Sequence, residues 1–382
     1  MIYYGKQFID EQDINAVVEV LKSDFLTQGP VIENFEKAVA EYCGVKYAVA
    51  VTNATSALHI ACLAAGLDKG DILWTTPITF TASANCGRYC GADVDFVDID
   101  DSTYNMSISA LKEKLEKSKI KPKVVIPVHL AGQSCEMQEI YDLSKQYGFT
   151  VIEDASHAIG ADYKDTKVGC CKYSDMTVFS FHPVKIITTG EGGMVLTNNE
   201  ELYKKLTLYR SHCITRDENL MTKEADGPWY YQQIGLGFNY RMTEVQAALG
   251  LSQLAKVDKF VARRRQLAER YNELLKDLPL KLPYQNPDTD SSWHLYIVRV
   301  DFNKIKKTKK DIFAEMKAKG VCLNLHYIPV HTQPYYQNLG FKNADFPVSE
   351  KYYEEAFTLP LYYSLTDEQQ EYIVSTLKEV LK

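Results

Sequence analysis

The chain carries 382 residues, 46% of them hydrophobic, with 43 Lys and Arg against 50 Asp and Glu for a formal net charge of −7. That length and apolar content suit a globular protein with one large core and a smaller second one, and they exclude a disordered chain. The acidic balance leaves no electrostatic footprint for nucleic acid, since the one dense basic cluster, Arg263-Arg264-Arg265, falls inside a helical pattern.

Nine cysteines, odd in number and scattered, with the closest pair Cys170-Cys171 adjacent, fit neither a disulfide framework nor a metal site, and point to a reducing compartment. The start, Met1-Ile2-Tyr3-Tyr4-Gly5-Lys6, has no charged and apolar leader, and no apolar run approaches the roughly 20 residues a bilayer needs. A cytoplasmic protein with no membrane partner is expected.

Along the chain, Ile14, Val17, Val18 and Leu21 recur at helical spacing. Phe35, Ala38, Val39 and Tyr42 repeat the pattern before Gly44, a residue suited to a helix end. Short apolar runs follow at Tyr47–Val51, Ile72–Pro77, Val94–Val97, Val124–Val128, Val151–Ile152 and Met176–Phe181, with room between them for crossover helices. The alternation predicts an α/β domain with a mostly parallel, buried sheet. From about Leu251 the chain turns helical, with Phe260, Leu267, Tyr271, Leu274 and Leu278 on one face, until Pro279, Pro283 and Pro287 break it. A second domain begins near this point and holds a strand at His294–Val300 and a final amphipathic helix through Tyr372–Leu381.

Three segments combine residue types that suit one chemistry. The strand Tyr47–Val51 runs into Thr52-Asn53-Ala54-Thr55-Ser56 at a helix start, where free amides and the positive dipole end suit a phosphate, although an ordinary helix cap has the same letters. Val151-Ile152-Glu153-Asp154-Ala155-Ser156-His157 ends a strand in two carboxylates. Asp154 placed against a pyridine nitrogen would hold it protonated; a helix cap beside a solvated Glu153, with His157 in the core, reads equally well. Finally, Lys185 follows the buried strand ending in Ser180 and precedes Gly190, Gly192 and Gly193. A desolvated primary amine there is a nucleophile for an aldehyde, and the glycines permit close backbone approach.

Thr52-Asn53-Ala54-Thr55-Ser56-Ala57-Leu58-His59, Glu153-Asp154-Ala155-Ser156-His157, Ser180-Phe181-His182-Pro183-Val184-Lys185 and Gly237-Phe238-Asn239-Tyr240-Arg241-Met242 together resemble the DegT/DnrJ/EryC1/StrS sugar aminotransferases. The likeness spans essentially the whole chain, and four ordered motifs are far more specific than any one. It implies a pyridoxal 5'-phosphate (PLP) enzyme of the fold-type I aminotransferase class: α/β, with a large mostly parallel sheet domain over residues 1–250 and a smaller α+β domain over 251–382. It further implies a homodimer with shared active sites. By position it makes Lys185 the lysine that bonds the cofactor, Asp154 the partner of the pyridine nitrogen and His157 a neighbour of the phenolic oxygen. Ala54, Thr55 and Ser180 would hold the phosphate, Phe80 would stack on the ring, and Asn239 and Arg241 would reach the other subunit's site. The segment Leu325-His326-Tyr327-Ile328-Pro329-Val330-His331 resembles the stretch lying along the sugar nucleotide, so His326, Tyr327 and His331 become substrate candidates.

Within the family, Thr75-Thr76-Pro77-Ile78-Thr79-Phe80 and the lysine and histidine segments are most similar to the 4-aminotransferases of the pseudaminic acid pathway. The implied reaction moves an amino group from L-glutamate to C4 of UDP-2-acetamido-2,6-dideoxy-β-L-arabino-hexos-4-ulose. Other dTDP- or UDP-linked 4-keto sugars are the neighbouring reading. Lys185 argues against the dehydratase relatives, in which histidine replaces it, and the full set of cofactor positions argues against a non-catalytic regulator. One departure stands out: Cys213 follows Arg210-Ser211-His212 where glycine is expected, which predicts a shifted loop through Trp229-Tyr230-Tyr231. Arg216 and Arg299 are candidates for the donor's carboxylates.

Overall fold

The computed structural model describes residues 1–382. Helix α1 (Glu11–Leu21) opens with a capping box in which Asp10 and Asp13 take each other's backbone amides. Helix α2 (Pro30–Cys43) ends on Gly44 at φ 70°, the left-handed conformation anticipated for a terminal glycine. Strand β1 (Tyr47–Val51) leads into α3 (Ala54–Ala64), β2 (Ile72–Thr75) into α4 (Ala82–Tyr89), and β3 (Asp93–Phe96) into α5 (Ile108–Lys117). Strand β4 (Val124–Ile126), helix α6 (Met137–Tyr147), strands β5 (Thr150–Asp154), β6 (Met176–Ser180) and β7 (Gly193–Thr197), and helix α7 (Glu200–Arg210) complete this part.

The seven strands form one sheet in the order β1-β7-β6-β5-β4-β2-β3. Neighbours from β6 through β3 pair in parallel, whereas β7 pairs antiparallel with both β6 and β1. Every residue of β6 and β7 is buried, as a sheet covered on both faces requires. One face packs on Phe35 and Val39 of α2, the other on Leu58 and Ile60 of α3 and Leu206 of α7. Strand β7 has no counterpart in the sequence reading: the glycines before it suggested turns, and its apolar core, Met194-Val195-Leu196, is only three residues long.

Helices α8 (Glu244–Leu254) and α9 (Val257–Leu275) carry the chain onward. Val257, Phe260 and Val261 belong to the core beneath the large sheet, while Leu267, Ala268, Tyr271 and Leu275 belong to a second core, so α9 bridges the two. The second core rests on β8 (Leu280–Lys281), β9 (Tyr296–Val300) and β10 (Ala356–Leu359), an antiparallel sheet ordered β8-β9-β10. The basic cluster is spent on contacts within the chain: buried Arg264 donates to the carbonyls of Trp293, His294 and Leu361, while at the surface Arg263 pairs with Asp367 and Arg265 with Asp290.

The N-terminal lead is bonded to the C-terminal part of the chain. Ile2 donates to Gly320 O at 2.7 Å and accepts from Cys322 at 2.8 Å, and Tyr4 O accepts from Leu361 at 3.0 Å. Its backbone groups are thus satisfied by the C-terminal part, which carries Tyr4 to the mouth of the cavity described below. Cys213 adopts φ 53°, and its amide reaches Leu208 O at 2.8 Å, so cysteine accepts the left-handed angle that glycine would take freely. A Cβ on Gly237 would lie 2.3 Å from Cys213 N, so only glycine lets the returning chain pass this turn.

Helix α2 has no capping side chain, because Gly29 is its N-cap and Pro30 its first residue. Buried Glu244 replaces the cap, accepting from Gly29 at 3.0 Å, Val31 at 2.7 Å and Ile32 at 3.3 Å. Glu244→Ala should destabilise the protein by about 2–4 kcal/mol, since the part-buried amides of Gly29 and Val31 and the buried amide of Ile32 lose a common acceptor. Glu244→Gln should cost less; equal melting temperatures for wild type and Glu244→Ala would refute this anchoring.

Candidate active site

A cavity of about 780 Å³ opens where the C-terminal ends of β1, β4, β5 and β6 and the N-terminal end of antiparallel β7 meet one edge of the large sheet. Its volume falls in the range of small-molecule sites, and a sheet's carboxyl edge is where α/β proteins hold ligands. Lys185, Asp154, His157, Ser180, Ala54, Thr55, Phe80, His326 and Tyr327 all line it.

Lys185 projects from a loop closed tightly at its neck. Phe181 N donates to Gly192 O at 2.9 Å, and Phe181 O accepts from Thr188 Oγ1 and Thr189 N, each at 3.0 Å. Phe181 itself is fully buried against Phe35, 5.3 Å between ring centroids, so the neck is anchored in the core. Desolvation lowers the Lys185 amine to about 8, against the opposing pull of Asp154. At pH 8 about half of such amines are neutral, compared with roughly one in three hundred for an ordinary lysine.

Asp154 ends β5. Its Oδ2 accepts from Ser83 Oγ at 2.6 Å and its Oδ1 from Ser156 N at 3.1 Å. Its backbone is clamped as well, with N donating to Pro127 O at 2.9 Å and O accepting from His129 N at 3.1 Å. Strand alternation sends Glu153 to the opposite face, where it is buried, not solvated. Glu153 accepts from Thr177 Oγ1 at 2.8 Å and from Ser174, and meets His129 Nε2 at 2.6 Å. His129 Nδ1 accepts from Cys135 N at 3.1 Å, which puts the ring proton on Nε2, facing Glu153. This polar cluster pins the strand end that presents Asp154.

At the start of α3, Asn53 caps Ser56 N at 2.8 Å. Ala54 and Thr55 begin the helix at the cavity wall, where first-turn amides suit an anion. Gly193 makes this approach possible: a Cβ there would stand 2.5 Å from the Asn53 carbonyl carbon and 2.6 Å from Ala54 N. Ser180 closes this corner from the end of β6.

Across the cavity, His157 Nδ1 accepts from Ala131 N at 3.3 Å, so its proton lies on Nε2, 3.1 Å from Tyr327 Oη. Burial keeps His157 neutral well below the usual histidine range, helped by nearby Lys185, and holds His326 at about 3. Burial likewise keeps the Tyr327 phenol protonated, reinforced by Asp154. Phe80 stands at the mouth, 59% exposed, its ring 6.1 Å from that of Tyr327.

Three expected site residues do not line this cavity. His331 is fully buried, its Nε2 3.1 Å from Glu350 and its ring against Phe346 and Phe96, off the cavity wall. Asn239 and Arg241 lie on the segment that bridges to Ser211 and Val51, outside the lining. Of the two donor candidates, Arg299 is buried and paired with Asp101 and Glu355, and Arg216 is exposed away from the cavity. The sequence reading passed over Tyr4, Ser83, His294, Asn324 and Tyr240. Tyr240 lies in the motif Gly237–Met242, and Ser83 left a trace four residues after Thr79, at the start of α4.

Residues 7–378 match the model of the DegT/DnrJ/EryC1/StrS aminotransferase family. The chain is 36% identical to the UDP-4-amino-4,6-dideoxy-N-acetyl-beta-L-altrosamine transaminase of Campylobacter jejuni subsp. jejuni serotype O:2, covering 100% of this chain and 98% of that protein. It is also 36% identical to the spore coat polysaccharide biosynthesis protein SpsC of Bacillus subtilis, covering 99% and 97%. Among solved structures, Helicobacter pylori PseC, an aminotransferase involved in the biosynthesis of pseudoaminic acid, superposes with a TM-score of 0.91 at 32% identity over 100% of this chain and 99% of that one.

A lysine held near 8 costs stability before any ligand arrives. The folded amine gives up its proton more easily than the unfolded one, so the penalty is full below about pH 8 and is relieved as pH rises toward the ordinary lysine value. Cofactor-free Lys185→Met should therefore gain up to about 3 kcal/mol at pH 7 and almost nothing near pH 10.5. Thermal melts across that range check this, and a gain independent of pH would contradict it.

Proposed function

Because the chain belongs to the DegT/DnrJ/EryC1/StrS aminotransferase family, PLP-dependent sugar aminotransferases, we propose that it aminates C4 of UDP-2-acetamido-2,6-dideoxy-β-L-arabino-hexos-4-ulose with L-glutamate as donor. The single observation that carries the site assignment is the convergence of a desolvated Lys185 amine, the Asp154 carboxylate and the α3 N-terminus on one cavity. These residues fit the cofactor. Lys185 is an amine available to an aldehyde, Asp154 an anion for a pyridinium, and the Gly193-dependent turn at Ala54 and Thr55, with Ser180, a seat for a phosphate. Bound PLP supplies an aldehyde for capturing amines and a ring that accepts electrons from the adjacent carbon.

The chain's own groups then have separate tasks. Asp154 would hold the ring nitrogen in its protonated form, and Phe80 would cover the ring face. His157, whose Nε2–H holds the Tyr327 hydroxyl, would neighbour the ring's phenolic oxygen. Lys185, neutral in a useful fraction at physiological pH, would take the proton from the donor's α-carbon and return it, serving as both base and acid. Overall, L-glutamate leaves as 2-oxoglutarate and the sugar's ketone oxygen is replaced by an amino group. His326 and Tyr327 are assigned to the sugar nucleotide.

Resemblance to the altrosamine transaminase and to PseC supports this ketone. The equal identity to SpsC supports keeping other nucleotide-linked 4-keto sugars as the second reading. A homodimer is supported by exposed apolar residues around the Asn239 segment, with Leu236 77% and Trp229 70% exposed. Asn239 and Arg241 would then complete the partner's cavity. A cytoplasmic location is proposed with it; no helix is long and apolar enough to cross a membrane.

With L-glutamate and a panel of UDP- and dTDP-4-keto hexoses, turnover should be fastest on the proposed ketone, with an axial or equatorial amine assigned by NMR. Preference for a dTDP sugar would move the assignment to the second reading. Lys185→Ala should lose both the visible cofactor absorbance and turnover. Mixing it with Arg241→Ala, each inactive alone, should restore about a quarter of wild-type activity through heterodimers. No recovery after subunit exchange would overturn the shared site.

A further inference from the structure

We propose that Ser83, backed by Thr79, is a positioning residue that sets how the proton is shared between Asp154 and the cofactor ring. The inference rests on the reading of Asp154 as the ring nitrogen's partner. Thr79 and Ser83 are both buried, Thr79 beside Phe80 in the turn that enters α4 and Ser83 in the helix's first turn. Thr79 Oγ1 lies 2.7 Å from Ser83 Oγ, and Ser83 Oγ lies 2.6 Å from Asp154 Oδ2.

Proton counting gives this chain a direction. Asp154 Oδ1 is already occupied by the Ser156 amide, and a carboxylate can only accept. Ser83 therefore spends its single proton on Oδ2; its alternative acceptor, Phe80 O, is 3.4 Å away. The Thr79 hydroxyl must then donate to Ser83, which polarises the Ser83 hydroxyl and strengthens its bond to the carboxylate. Helix capping does not account for the serine, since the N-cap of α4 is Thr81 and makes no side-chain cap bond.

Each donor to a carboxylate stabilises its charged form and weakens it as a base. With donors on both oxygens, Asp154 has its lone pairs partly engaged and would leave the proton on the ring nitrogen. The same hydrogen bonds fix the turn that carries Phe80, so one pair of hydroxyls couples the ring's face to its nitrogen. Without Ser83, Asp154 becomes the stronger base and takes a larger share of the proton, leaving the ring a poorer electron acceptor.

The test is the ¹⁵N NMR shift of the ring nitrogen in holoenzyme loaded with ¹⁵N-labelled PLP, measured alongside cofactor retention and melting temperature. Ser83→Ala should move the resonance downfield, toward an unprotonated pyridine, and weaken cofactor retention about tenfold. Ser83→Thr, which keeps the hydroxyl, should match wild type, and Thr79→Val should move the resonance in the same direction by less. Asp154→Asn serves as the control and should shift the resonance furthest. If Asp154→Asn moves the resonance and Ser83→Ala does not, the relay is wrong while the reading of Asp154 stands, even if Ser83→Ala lowers the melting temperature. If Asp154→Asn leaves it unmoved, Asp154 is not the ring's partner and the inference falls with that reading.

Discussion

An amine in water at neutral pH is almost entirely protonated, and a protonated amine cannot attack a carbonyl. Desolvation of Lys185 removes that obstacle, and much of the architecture serves to keep this one group out of water without giving it an ion pair that would restore its charge. Its loop is closed by hydrogen bonds at Phe181, and Phe181 is sunk in the core against Phe35. Asp154, the acid that pulls the amine's proton affinity upward, has both carboxylate oxygens engaged by Ser83 and Ser156. The lysine is thus near a carboxylate and still lowered, a balance that a freely mobile Asp154 would upset.

The sheet makes the balance possible by bringing distant segments to one edge. Parallel pairing from β3 to β6 points the ends carrying Asp154 and Ser180 the same way, and β7 runs opposite so that its first residue, Gly193, meets the Asn53–Ala54 turn there. Asp154 and Ser180 stand on strand ends and Ala54 and Thr55 on a helix start, while Lys185 stands on a loop anchored in the core through Phe181. Glu153 with His129 and Thr177 anchors β5, and Glu244 anchors α2, the helix beneath Phe181. The opposite wall, with Tyr4, His326 and Tyr327, comes from the N-terminal lead and the C-terminal part.

What the sequence disclosed was local. Strand ends followed by Asp154, by Lys185 or by a small-residue helix start are written in consecutive letters, and the structure brings these segments together at one cavity. What escaped notice depends on contacts far apart in the chain. Glu153 looked like a solvated neighbour because its three partners sit at 129, 174 and 177. Tyr4 reaches the cavity only because Ile2 is tied to residues 320 and 322. His331 shares a segment with His326 and Tyr327, but the turn after Pro329 buries it beside Glu350 and Phe346, a change of direction no spacing rule encodes. Strand β7 was hidden by its own glycine, whose use is close approach and not a turn.

The central claim is that one cavity serves both halves of an amino transfer between L-glutamate and a nucleotide-linked ketone. It is tested most directly by following the visible absorbance of the holoenzyme through sequential additions. L-Glutamate alone should discharge the lysine-bound cofactor signal with stoichiometric release of 2-oxoglutarate, and the UDP-4-keto sugar, added after the donor is removed, should restore it with stoichiometric aminated sugar. An absorbance that L-glutamate leaves unchanged, or that the keto sugar cannot restore, would contradict the account.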